Sequence, residues 1–226
     1  MQPNDFNRSY STVTRSESVL STNTVLRNTY QLLGLSLLFS GFTAYLSAVS
    51  GVQPNILIFF IGTYGLMFLT QYLRNSPWGI LSVFAFTGFM GYTLGPILDL
   101  YVKFIPNGPQ IIMMAVVGTG LTFFGLSAYV LTTQKDMSYL AGFLNAGFWA
   151  LLICVFASIF FHATALELMI SAGFIIFSSA AILFETSNII HGGERNYIIA
   201  TITLYAQIYN LFVSLLRLLA AFNNRD

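Results

Sequence analysis

Residues 197–221 read YIIATITLYAQIYNLFVSLLRLLAA, a run broken by a single charge, Arg217. A span needs about 20 predominantly apolar residues to cross a hydrocarbon core of about 30 Å, and this run is long enough. With no water to pair its backbone amides, it is expected to be a helix. Polar and small residues recur along it and just before it: Asn196, Ala200, Thr203, Gln207, Asn210, Ser214 and Arg217. Their spacing alternates four and three, so they share one helical face. Polar groups in hydrocarbon turn toward partners, which points the stripe at the interior of a helix bundle. It has two readings, interhelical hydrogen bonds worth about 0.6 kcal/mol each or the wall of a wet path.

Working outward, six further apolar runs are long enough to cross: 30–50, 55–73, 78–100, 109–133, 139–161 and 164–190. They are apolar on all sides rather than alternating, which argues against a barrel. The expected fold is therefore all-α, a polytopic membrane protein with seven transmembrane helices over residues 30–221 and a short C-terminal tail, 222–226. Composition agrees: the 226-residue chain is 56% hydrophobic and 8% charged, with a mean hydropathy of +0.73. A water-facing domain carries about 25% charged residues. The net charge of +1 offers no footprint for nucleic acid, and the single cysteine, Cys154, cannot form an internal disulfide.

Residues 1–29 differ in kind. Positions 1–24 hold five Ser, four Thr and three Asn, the composition of a solvated, disordered tail. No apolar core precedes residue 30, so the first span is expected to insert uncleaved. Cations fix the expected orientation. With the N-terminus in the cytoplasm, Arg8, Arg15, Arg27, Arg74, Lys135 and Arg195 lie inside. Lys103 and Arg225 lie outside, with Arg217 if it snorkels. Seven spans then place the C-terminus in the periplasm.

Ionisable groups inside spans are functional candidates, because charge there is costly. Asp99 precedes Lys103 by four residues, the spacing of a helical ion pair, and Glu167 lies near a span end. Glu185 lies deeper. Ser171, Ser178, Ala181 and Asn188 share its face, so it reads as either a proton- or cation-linked group or an interhelical hydrogen-bond partner. Gly91 and Gly95 form a G-x-x-x-G pair before Pro96, a pattern of close helix packing with a hinge as the other reading. His162 and His191 stand apart on opposite sides, and no metal site is expected. H-E-x-x-H, G-x-S-x-G and P-loop motifs are absent, and no lysine lies in the seventh span. Enzyme chemistry is not expected.

Four segments carry a resemblance. Phe184-Glu185-Thr186-Ser187-Asn188-Ile189-Ile190 and Leu204-Tyr205-Ala206-Gln207-Ile208-Tyr209-Asn210-Leu211-Phe212 resemble the C-terminal signature of the Bax inhibitor-one family. Ala85-Phe86-Thr87-Gly88 through Gly95-Pro96-Ile97, and Lys135-Asp136-Met137-Ser138-Tyr139-Leu140, are similar to further family stretches. The chain most resembles the bacterial YccA-like branch, whose members modulate the membrane-bound AAA protease FtsH. That resemblance implies an inner-membrane protein, six helices around a central seventh, and recognition through the cytoplasmic tail 1–29. It also implies a pH-responsive carboxylate pair linked to calcium leak. Glu185 occupies the sixth-span position of that pair, and Gln207, which cannot ionise, the seventh. Arg74 lies near an arginine that takes part in some members, and Arg217 matches one on the seventh span.

A neutral amide opposite Glu185 removes the like-charge contribution that places such a pair near neutral pH. A calcium site with one carboxylate would also be weak. Two functions follow as expectations. One is an inner-membrane regulator that binds an FtsH-type protease and inhibits degradation of membrane substrates. The alternative is a pH-sensitive calcium or cation leak through Glu185 and the polar face formed by Thr203, Gln207, Asn210, Ser214 and Arg217. No cofactor is expected beyond a weak calcium interaction.

Overall fold

The computed structural model describes residues 24–223 apart from Pro54 and His162. For residues 4–23 and Ile56 it gives only the helical path. Seven helices follow one another: α1 (Asn4–Val49), α2 (Ile56–Leu73), α3 (Trp78–Phe104), α4 (Gly108–Thr133), α5 (Leu140–Phe160), α6 (Thr164–Ile190) and α7 (Tyr197–Asn223). Six of them are long and apolar enough to cross a membrane, and α2 is a shorter apolar helix beside them. The protein is all-helical and polytopic.

The tail boundary expected at residue 29 is corrected. Residues 24–29 are helical, and Val25 and Thr29 are buried in the bundle. The side chains of residues 1–23, which make up the rest of that tail, lie outside the described residues. So do residues 224–226, the end of the expected C-terminal tail. Thr29, Ser36, Ser40, Ala44 and Ser47 are all buried on α1. Steps of seven, four, four and three keep them on one face. Such small side chains let a neighbouring backbone approach, and Ser36 satisfies its hydroxyl on its own helix, 2.9 Å from the Leu33 carbonyl.

The neighbour is α3. A Cβ on Gly91 would meet the Ser40 carbonyl and Thr43 Oγ1, and one on Gly95 would lie 2.6 Å from Ser47 Cβ. The G-x-x-x-G pair is therefore the place where α3 packs on α1. Helix α3 runs unbroken through Pro96.

Helix α7 is central and packs against α1, α2, α3, α4 and α6. The expectation of six surrounding helices is refined to five, because α5 packs only on α6 and buries none of its residues. Two gaps flank α7. Among the described residues α1 does not meet α4, and α2 meets neither α5 nor α6. The first gap is an apolar cleft of about 420 Å³ between α1 and α4, floored by Tyr205, Ile208 and Phe212 of α7. The second is the larger cavity described below.

Candidate functional site

The polar stripe of α7 begins as a helix cap. Asn196 Oδ1 accepts from the amides of Ile198 (3.0 Å) and Ile199 (3.3 Å), satisfying donors that the first turn leaves open. Its Nδ2 donates to the Arg74 carbonyl at 2.9 Å and to Asn75 Oδ1 at 3.0 Å. Arg74 is thus held by its backbone at the end of α2, and its side chain is exposed.

One turn further in, Ala200 is buried and Thr203 half-buried. Tyr205 is 1% exposed, and its hydroxyl lies 2.6 Å from Ser40 Oγ of α1 and donates to the Thr87 carbonyl of α3 at 3.3 Å. Its ring packs edge-on against Phe86, with centroids 5.9 Å apart. One phenol therefore ties three helices together. Sequence reading passed over it because it lies off the stripe, yet a tyrosine deep in a span signals a needed hydrogen-bond partner. Gln207 is half-buried, and its Oε1 is buried with no partner among the described residues.

Beyond Gln207 the stripe opens into a cavity of about 620 Å³, where Asn210, Ser214 and Arg217 come together. Gln53 and Asn55 from the α1–α2 connection and Thr93 from α3 complete its polar side. Arg217 is exposed and is the one charged residue among those lining the cavity.

Glu185 lies elsewhere, half-buried near the end of α6. Its polar neighbours are Asn188 and Glu194, the latter in the α6–α7 turn. That turn is built by Gly192 at φ +75 and by the Gly193 amide donating to the Asn188 carbonyl at 2.9 Å. Glu194 is the residue that sequence reading missed. Beside Glu185 it expected only the neutral Gln207, whereas a second carboxylate that acts on it electrostatically stands in the turn nine positions on, its Oε1 accepting from the Asn196 amide at 2.7 Å. The same end fastens the α4–α5 connection: the Met137 amide donates to Ser187 Oγ at 3.0 Å, and Ser187 Oγ donates to the Lys135 carbonyl at 3.2 Å. Met137 is 3% exposed. Asp136 caps the connection, accepting from the Ser138 amide at 2.8 Å, and that bond holds its carboxyl below the usual range.

The seven candidate residues thus divide. Asn210, Ser214 and Arg217 share one cavity, whereas Arg74 and Glu185 lie toward the opposite ends of the bundle from it. Thr203 and Gln207 lie between. Among the described residues no three His, Cys, Asp or Glu gather as a metal site. Calcium takes six to eight oxygens, and Glu185 with Glu194 and Asn188 supplies too few for a protein-built site. The family-like segments, by contrast, meet in pairs. Thr87 and Phe86 meet Tyr205, and Lys135 and Met137 meet Ser187.

Comparison with known proteins places these contacts in context. Residues 22–224 match the family model described as inhibitor of apoptosis-promoting Bax1. An uncharacterised protein of Pseudomonas aeruginosa is 62% identical over 195 residues, 86% of this chain and 87% of its own. A protein of Escherichia coli K12 named modulator of FtsH protease YccA is 57% identical over 210 residues, 92% of this chain and 94% of its own. The counterpart in a second Escherichia coli strain, equally similar, is named inner membrane protein YccA.

Proposed function

The chain belongs to the family of inhibitors of apoptosis-promoting Bax1, and from that membership we propose that it is an inner-membrane regulator that binds an FtsH-type AAA protease and inhibits degradation of membrane substrates. The observation that carries this reading is the 57% identity, over nearly the whole of both chains, to a protein named as a modulator of FtsH protease. The role is regulatory. It acts by occupying its partner.

The N-terminus faces the cytoplasm and the C-terminus the periplasm, on the balance of cations described above. Residues 1–23 are then on the side where a cytoplasmic AAA domain works, and they carry recognition. The competing reading, a pH-sensitive calcium or cation leak, is not favoured. Its path would pass the cavity in which Arg217 is the one charge, and a fixed cation repels cations.

The test is the half-life of a membrane substrate of FtsH in cells producing the full chain, with co-purification of the protease. Extended half-life and co-purification are expected. Deletion of residues 2–23 abolishes both while the bundle still inserts. An unchanged half-life with the full chain overturns the reading, and equal effects of full and truncated chains overturn the role of the tail.

A further inference from the structure

The cavity at the far end of α7 has a chemical character that protease regulation does not use. Its polar side is cationic. Arg217 stands there with no carboxylate partner among the described residues, where the one ion pair is Lys103–Asp99. Helix α2 also starts at this cavity. Asn55 caps it, accepting from the amides of Leu57 and Ile58, and Ile58 lines the wall. Those amides are thereby satisfied, so the start of α2 adds to the space beside Arg217 only the partial positive charge of a helix amino end. Gln53, Asn210 and Ser214 add neutral hydrogen-bonding groups around them.

The opposite wall is apolar, formed by Phe59, Val155, Phe174 and Val213. It lies where, among the described residues, α2 meets neither α5 nor α6, so the cavity is not closed between these helices. A cationic end, an apolar wall and a side not closed between helices together match an amphiphile with an anionic head. Water-soluble anions would use only the first of these features.

We propose that this cavity binds one anionic phospholipid of the leaflet at the end of α7, its phosphate at Arg217 and the start of α2 and an acyl chain along Val155, Phe174 and Val213. The proposal stands independently of the protease reading. A full-charge guanidinium meets phosphate bidentately, which sets this lipid apart from the surrounding bilayer.

The test is native mass spectrometry of the full chain released from mixed micelles of phosphatidylglycerol and phosphatidylcholine, with thermal unfolding measured in parallel. The wild type retains one phosphatidylglycerol in preference to phosphatidylcholine, and Arg217→Gln lowers that preference about fivefold, the effect of one basic residue near an anionic surface. Lys103→Gln, outside the cavity, leaves it unchanged, and Arg217→Lys, which keeps the charge but loses the bidentate fork, falls between wild type and Arg217→Gln. Val213→Trp fills the wall and lowers retention with Arg217 intact, which keeps the proposal testable should Arg217→Gln unfold. Glycerol 3-phosphate, the head without the chain, gives no thermal stabilisation. Equal retention by wild type and Arg217→Gln, or stabilisation by glycerol 3-phosphate alone, overturns the assignment to a lipid.

Discussion

Replacing Gly91 by alanine places one methyl group against backbone. A Cβ there would lie 2.8 Å from the Ser40 carbonyl carbon and closer still to the Ser40 oxygen and Thr43 Oγ1. Ordinary contact begins near 3.4 Å. Helices α1 and α3 must therefore part by at least about 0.6 Å, a gap that already forfeits a quarter or more of each dispersion contact across the seam. Rotating Thr43 would not relieve the clash, because the nearest obstacle, the Ser40 carbonyl, is main chain. Overpacking of this kind costs about 1–3 kcal/mol. Alanine also gains about 1 kcal/mol of helix propensity over glycine, which would mask part of the loss. Gly34 supplies the correction. It lies on the same helix as Ser40 with nothing within 4 Å of its Cβ position, so Gly34→Ala carries the propensity gain alone. The quantity to measure is the difference between the two variants in equilibrium unfolding from mixed detergent micelles. Gly91→Ala is expected to be less stable than Gly34→Ala by about 1–3 kcal/mol. Equal stability within about 0.5 kcal/mol would refute the close-packed seam.

Two further outcomes follow from contacts already described. In a double-mutant cycle, Tyr205→Phe and Ser40→Ala are expected to couple by about 0.6 kcal/mol, the usual worth of such a bond between membrane helices; strict additivity would show that the 2.6 Å contact contributes nothing. Asp136 has a folded-state pKa lowered chiefly by the Ser138 amide, so its grip on the α4–α5 connection is present above the ordinary aspartate value and lost as pH falls through the lowered one. At pH 7 limited proteolysis should cut this connection faster in Asp136→Asn than in wild type, with the difference vanishing in strong acid, and equal rates at pH 7 would contradict the cap.

The helices were legible because hydrocarbon demands long apolar runs, and the stripe of α7 because its period survives any choice of boundary. Their arrangement was not legible from hydropathy. Helix α5 is the most apolar of the six long spans, yet it buries none of its residues. Helix α7 is less apolar and far more buried. In a bilayer the apolar face is satisfied by lipid, so apolarity marks the outside and polarity the centre. The start of α1 was misjudged for the same reason. Thr24, Arg27 and Asn28 lower the local hydropathy, while Val25 and Thr29 are the residues that face inward. At the candidate site, the grouping of Asn210, Ser214 and Arg217 followed from spacing. The electrostatic influence of Glu194 on Glu185 did not, because a turn, not a period, places it there. The cavity wall comes from five separate helices and a connection, and no sequence period records a gap between helices.

The helix at the centre of the bundle is also the last of the seven to be made. During synthesis α1 and α3 can close their glycine seam as soon as both have entered the bilayer, but Ser40 and Thr87 face an empty middle. At about 5–20 residues per second, the 27 residues of α7 take a further one to five seconds or so to arrive. Until then the two flanking clefts are a single space, and the nascent bundle lacks the helix at its axis. Tyr205 is the group that ends this state, since its arrival ties α7 to both α1 and α3. Assembly is thus completed from the C-terminal end, and a chain halted after α6 would have its helices inserted but not yet a common core.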